Sequence, residues 1–232
     1  MMKRLVLFDI DGTILTSDGA PRRAFHRALL EVYGTAGPIA THAFDGKTDP
    51  QIARELLTHA GLPAAAVERG LPALWSTYLR ELSTEFARPT HRTTVLPGIR
   101  PLLDALEAEH TEAVLGLLTG NIREGATLKL SSAGIRTMFR VGAFGSDCER
   151  RDGLPPVAVA RALEVTGVAF RRGDIVIIGD TPSDVTCGSS LGACAIGVAT
   201  GRHHADELRE AGAAAVFRDL SDTAEVLAAI LG

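Results

Sequence analysis

The chain has 232 residues, 46% of them hydrophobic and only 5% aromatic, with a formal net charge of -4. That is enough for a sizeable core in one large domain, or one domain carrying an insert, and it excludes a disordered chain. Mild acidity and few aromatics argue against a nucleic-acid surface, and no apolar run approaches the ~20 residues of a membrane helix.

The basic start of the chain is followed by the apolar run of residues 5–8, which is cut at Asp9, too short for a signal-peptide core. Residues 4–8, "RLVLF", read as a first strand. It runs straight into Asp9 and Asp11, two carboxylates with no basic partner nearby in sequence. Like charges placed together resist burial unless something offsets them, and a cation is the obvious candidate.

Residues 16–94 then show no convincing strand and read as three helices at 21–34, 49–61 and 64–86. The strand–helix rhythm resumes afterwards, with strands expected at 113–118, 141–144, 174–179, 193–198 and 214–217 and helices at 98–110, 155–167 and 222–232. The strands are mostly apolar without alternation, as in a parallel sheet covered on both faces. The expectation is a Rossmann-like open α/β core (residues 1–15 and 95–232) with an inserted all-α cap (residues 16–94). Cys148, Cys187 and Cys194 form no CxxC pair, which fits a reducing cytoplasm.

Open parallel sheets bind ligands beyond the carboxyl ends of their strands. Three polar clusters are expected there: Asp9 with Asp11, the run Thr119-Gly120-Asn121, and Asp180 with Asp184. Each alone reads equally as a turn or a helix cap. Together they carry one chemistry. Asp9, Asp11 and Asp180 offer hard oxygen ligands suited to Mg²⁺, and Thr119, Gly120 and Asn121 offer a hydroxyl and amides for an anion. A carboxylate nucleophile, a metal and an anion cradle describe phosphoryl transfer through an aspartyl-phosphate.

These residues resemble the haloacid dehalogenase superfamily over essentially the whole chain. Asp9-Ile10-Asp11-Gly12-Thr13 is similar to its DxDGT motif, Thr119 ends the second motif, and Gly179-Asp180-Thr181-Pro182-Ser183-Asp184 matches GDxxxD. The resemblance implies that Asp9 is the nucleophile and Asp11 the acid and then the base. It implies that Mg²⁺ is held by the Asp9 side chain, the Asp11 carbonyl and Asp180, and that Asp184 orients metal-bound water or the neighbouring cation. Thr119 and the Asn121 amide would hold phosphoryl oxygens. The family's third-motif Lys is missing, since residues 145–163 contain none. Arg150 or Arg151 must supply the charge, and Arg151, nearer the helix, is preferred. An Arg can fork onto phosphate and carboxylate together.

In the cap, Gly46, Lys47, Thr48 and Asp49 fit the loop that reaches down to substrate in resembling phosphatases. The same residues also read as a helix start, with Thr48 or Asp49 capping, Pro50 in the first turn and Lys47 facing water. His203 and His204 read as the start of a surface helix, and Trp75 and Tyr78 as cap core. The implied function is a Mg²⁺-dependent phosphatase of a small phosphorylated metabolite, similar to phosphoglycolate phosphatases. The alternatives are a β-phosphoglucomutase-like enzyme, a 2-haloacid dehalogenase, a phosphonoacetaldehyde hydrolase and a non-catalytic binding module. The expected protein is cytoplasmic, a monomer or homodimer, with no membrane or nucleic-acid partner.

Overall fold

The computed structural model describes residues 3–108, 113–135 and 138–232. Its first strand, β1 (Arg4–Phe8), is apolar at every position after Arg4 because both faces are covered. Leu5 and Leu7 pack on one side, with Val114, Leu118, Ile175 and Ile177. Val6 and Phe8 pack on the other, with Leu115, Leu117, Val176 and Ile178. The period of two explains why a strand buried twice shows no polar alternation.

After a second strand, β2 (Leu15–Thr16), come three helices: α1 (Ala20–Tyr33), α2 (Asp49–His59) and α3 (Ala64–Phe86). They share their own apolar cluster, including Phe25, Leu29, Leu56, Leu74 and Tyr78. The chain returns through β3 (Thr94–Val95), which pairs antiparallel with β2. Thus the reading of residues 16–94 as strand-free fails at its two ends, where Thr16 faces Thr94. Two-residue strands leave no periodic trace, so this exit-and-return ladder is invisible in sequence.

The rest alternates as α4 (Ile99–Ala108), β4 (Ala113–Thr119), α5 (Arg123–Ser132), β5 (Val141–Phe144), α6 (Leu154–Thr166) and β6 (Ile175–Gly179). It ends with α7 (Pro182–Cys187), β7 (Cys194–Val198), α8 (Ala205–Glu210), β8 (Ala215–Phe217) and α9 (Thr223–Leu231). Expected strands begin or end within one residue of these, whereas the end of the helix expected at 98–110 lies outside the described residues. The six long strands form one parallel sheet in the order β5-β4-β1-β6-β7-β8. The order reverses at β1, which sits between β4 and β6, and a ligand crevice belongs at that switch point. Among the described residues, no helix is long and apolar enough to cross a membrane.

Candidate active site

The register sets Phe8 beside Leu117 of β4 and Ile178 of β6. Asp9, Thr119 and Asp180 therefore leave the sheet along one edge. Gly12 turns the chain back with a φ of +82°, and a Cβ there would lie 2.3 Å from Asp180 Oδ2. Glycine is needed on both counts. Thr13 Oγ1 donates to Asp180 Oδ1 at 3.1 Å.

Asp9, Asp180 and Asp184 are all buried, and each offers a carboxylate oxygen within 4.8 Å of the others. Burial pushes Asp180 up to about 8, and the charges of Asp184, Asp9 and Asp11 add to it. Asp9 is raised to about 7, again by burial first, with Arg151 pulling it down and Asp184 and Asp11 pushing it up. Asp9 and Asp180, both raised by burial, lie with Asp184 in a donor set that a divalent cation would complete. Asp184 has two partners of its own. Its carboxylate accepts from Thr181 N at 3.0 Å and Thr181 Oγ1 at 2.7 Å, capping α7, and it also pairs with Arg151.

Arg151 opens the 3-10 turn Arg151–Gly153 and is buried. One guanidinium nitrogen lies 3.2 Å from Asp9 Oδ1 and also bonds Asp184 Oδ1, while Nε is buried with no hydrogen-bond partner among the described residues. Arg150 points elsewhere: its side chain is 80% exposed and pairs with Asp152. If Arg151 stabilises negative charge on a group bound beside Asp9, Arg151→Ala loses ~10²-fold or more in kcat/KM, as for removal of an oxyanion donor. Arg150→Ala stays within about twofold, since an exposed ion pair is worth under ~1 kcal/mol. Steady-state kinetics on the two variants checks the ranking, and the reverse order would move the cation by one residue.

Asp11 does not join the carboxylate trio. Its Oδ2 accepts from Lys129 Nζ at 2.6 Å and from Asn121 Nδ2 at 2.8 Å. Asn121 Nδ2 also reaches Thr119 Oγ1 at 2.7 Å, and Asn121 Oδ1 accepts from Lys129 at 2.5 Å. Asn121 is not a helix cap, because α5 starts at Arg123 behind Ile122. Lys129 is a site residue that the sequence reading missed. A signal was present: it lies three residues from Ala126 and four from Ala133, on the stripe of α5 that is otherwise apolar and buried.

The loop 46–49 sits directly on the core. Asp49 N donates to Gly120 O at 2.8 Å, and its Oδ2 accepts from Ile122 N at 2.8 Å. Thr48 Oγ1 donates to Glu149 O at 2.6 Å and accepts from Gln51 N, so Thr48 also caps α2. A Cβ on Gly46 would fall 2.4 Å from Ser183 Oγ. Beneath this loop lies a cavity of about 680 Å³ that reaches Asp9, Thr119, Asn121, Lys129, Arg151 and Asp180.

Lys47 lines that cavity too, but its ammonium is held by Glu55 Oε2 at 2.5 Å, with His42 Nε2 3.4 Å away. It does not simply face water. Arg22 is an unanticipated lining residue; its guanidinium lies 3.9 Å over the Phe44 ring and donates to the carbonyls of Ile39 and His42. Tyr78 is buried against Phe25 and also forms part of the cavity wall, whereas Trp75 stacks on Phe25 away from it. His204 caps the short helix α8, and His203 pairs with Glu207.

The sequence profile described as haloacid dehalogenase-like hydrolase matches residues 6–198. A curated relative from Pseudomonas syringae pv. tomato, named phosphoglycolate phosphatase, is 27% identical over 224 residues, covering 94% of this chain and 78% of the relative. Among solved structures, a hydrolase from Pseudomonas syringae superposes with a TM-score of 0.73 at 20% identity, covering 100% of both chains. A haloacid dehalogenase-like family protein from Streptococcus pneumoniae gives 0.63 at 19% identity and 97% of both chains.

Proposed function

Since the chain belongs to the haloacid dehalogenase-like hydrolase family, we propose that it is a Mg²⁺-dependent phosphatase of a small phosphorylated metabolite, working through an aspartyl-phosphate on Asp9. The observation that carries this reading is the buried trio Asp9, Asp180 and Asp184 with Arg151 against Asp9. A dehalogenase needs no cation, and three crowded carboxylates would then only oppose one another. The curated relative named phosphoglycolate phosphatase supports the substrate class.

In this reading Asp9 and Asp180, with the Asp11 carbonyl, hold Mg²⁺, and Asp184 orients Arg151 beside them. The cation supplies charge neutralisation for the incoming phosphoryl group. The chain's own residues do the rest. Thr119 Oγ1 and backbone amides around Asn121 cradle phosphoryl oxygens, and the unpartnered Arg151 Nε is a further donor for one of them. One Asp9 oxygen attacks phosphorus while Asp11 gives a proton to the departing oxygen. Asp11 then takes a proton from the water that cleaves the acyl phosphate, releasing phosphate and restoring Asp9.

The helical layer, residues 16–94, acts as a cap over this site, with segment 46–49 excluding water from it. Gly46 allows the close approach and Lys47 presents its charge along the cavity wall. Lys47→Ala lowers kcat/KM at least tenfold for a substrate with a second anionic group, about 1.4 kcal/mol, and much less for an aryl phosphate. The ratio of the two losses is the readout, and equal losses would make Lys47 a partner of Glu55 only. A screen of phosphorylated metabolites with Mg²⁺ tests the function itself. Hydrolysis of none of them would refute it, and transfer back to a sugar instead of release to water would favour the phosphoglucomutase reading.

A further inference from the structure

Lys129 is 3% exposed, on the face of α5 that packs Ala126 and Leu130 into the core. Burying an ammonium is costly, and a Met of similar length would pack there without that cost. The ammonium must therefore be held by what it touches, and it touches Asp11 Oδ2 and Asn121 Oδ1. An ammonium donates only. It therefore turns the carbonyl oxygen of Asn121 toward itself and the amide nitrogen toward Asp11 and Thr119. One cation thus sets the orientation of two groups that line the cavity, Asp11 and Asn121. Asp11 Oδ2 is committed to two N–H donors, while Oδ1 has no hydrogen-bond partner among the described residues.

We propose that Lys129 is the positioning residue for Asp11, fixing Oδ2 so that Oδ1 is the atom that delivers and takes up the proton in both halves of the reaction. This rests on the phosphatase reading above. In the first half, the Asp9–phosphorus bond forms, the ester oxygen leaves, and the proton on Asp11 Oδ1 moves to that oxygen. In the second, water attacks phosphorus, its proton moves to Oδ1, and the phosphorus–Asp9 bond breaks. Lys129 itself neither gains nor loses a proton. Without its charge, Asp11, whose side chain is 43% exposed, is free to rotate toward solvent.

A structural lysine and a positioning lysine separate on leaving-group dependence. An alkyl phosphate cannot expel its oxygen unprotonated, whereas p-nitrophenyl phosphate can. Lys129→Met should lower kcat/KM for an alkyl phosphate by ~10²-fold, within the range of lost acid–base catalysis, and for p-nitrophenyl phosphate by less than about a tenth of that factor. Stopped-flow traces of Lys129→Met with p-nitrophenyl phosphate should show a burst of nitrophenolate, because hydrolysis of the aspartyl-phosphate is then the slow half. Lys129→Arg should recover part of the alkyl phosphate rate. If Lys129→Met does not fold, Lys129→Gln keeps a donor to Asn121 without the charge, and the same split is expected. Equal losses on both substrates, or no burst, would overturn the positioning role and leave the phosphatase reading intact. A wild-type enzyme inactive on every phosphate monoester would overturn both.

Discussion

Asp9→Asn is expected to leave a folded protein with turnover reduced by ~10⁴-fold or more, as when a covalent nucleophile is removed. The amide is nearly the size of the carboxylate, so the core around β1 keeps its packing. It is also neutral. Asp9 is buried near Asp184 and Asp11, which Arg151 and the Ile10 N–H oppose only in part, so burial leaves its carboxylate raised to about 7. Removing its charge relieves repulsion, so the melting temperature should hold or rise. Lost activity with unchanged or higher stability is a signature that a merely structural Asp9 cannot give. Acid-quenched wild-type enzyme should carry phosphorus from a labelled substrate, and Asp9→Asn should carry none. Label on the variant would place the nucleophile elsewhere.

The parts of this site written into single strands and their ends were legible. β1, β4 and β6 are apolar runs, and each stops at a polar residue that has no reason to be buried there except the site itself. Arg151 was separable from Arg150 only by its place before α6, and the structure buries one and exposes the other. Lys129 was illegible as a partner of Asp11 because 118 positions separate them. No local rule links residues so far apart; only the parallel pairing of β1 with β4 brings them together. A different limit hid the engagement of Lys47 by Glu55, only eight positions away, and the place of Arg22 in the cavity wall. Side-chain direction in a loop is decided by the neighbours it meets, and those are set by how the helical layer rests on the core.

On the proposed reading, chelation of Mg²⁺ is expected to abolish turnover, and added Mg²⁺ to stabilise the protein more at pH 8 than at pH 5. The sign follows from the carboxylates. Asp180 is raised from 3.8 to about 8 in the folded chain and Asp9 from 3.8 to about 7. The folded state therefore binds more protons than the unfolded state between about 4 and 8, so without a cation stability falls as pH rises through that window. Above it Asp9 and Asp180 are both ionised, buried and mutually repelling. That is the state a divalent cation binds best, and binding stabilises the fold by mass action. At pH 5 protons compete for the same oxygens, and the cation gains little. Asp180→Asn should remove most of this Mg²⁺-dependent rise in melting temperature, together with ~10²-fold or more of the activity that rests on charge neutralisation. Melting curves at the two pH values, with Mg²⁺ and with EDTA, for wild type and Asp180→Asn, decide the point. A Mg²⁺ shift that is the same at both pH values, or that survives in Asp180→Asn, would locate the cation away from this trio.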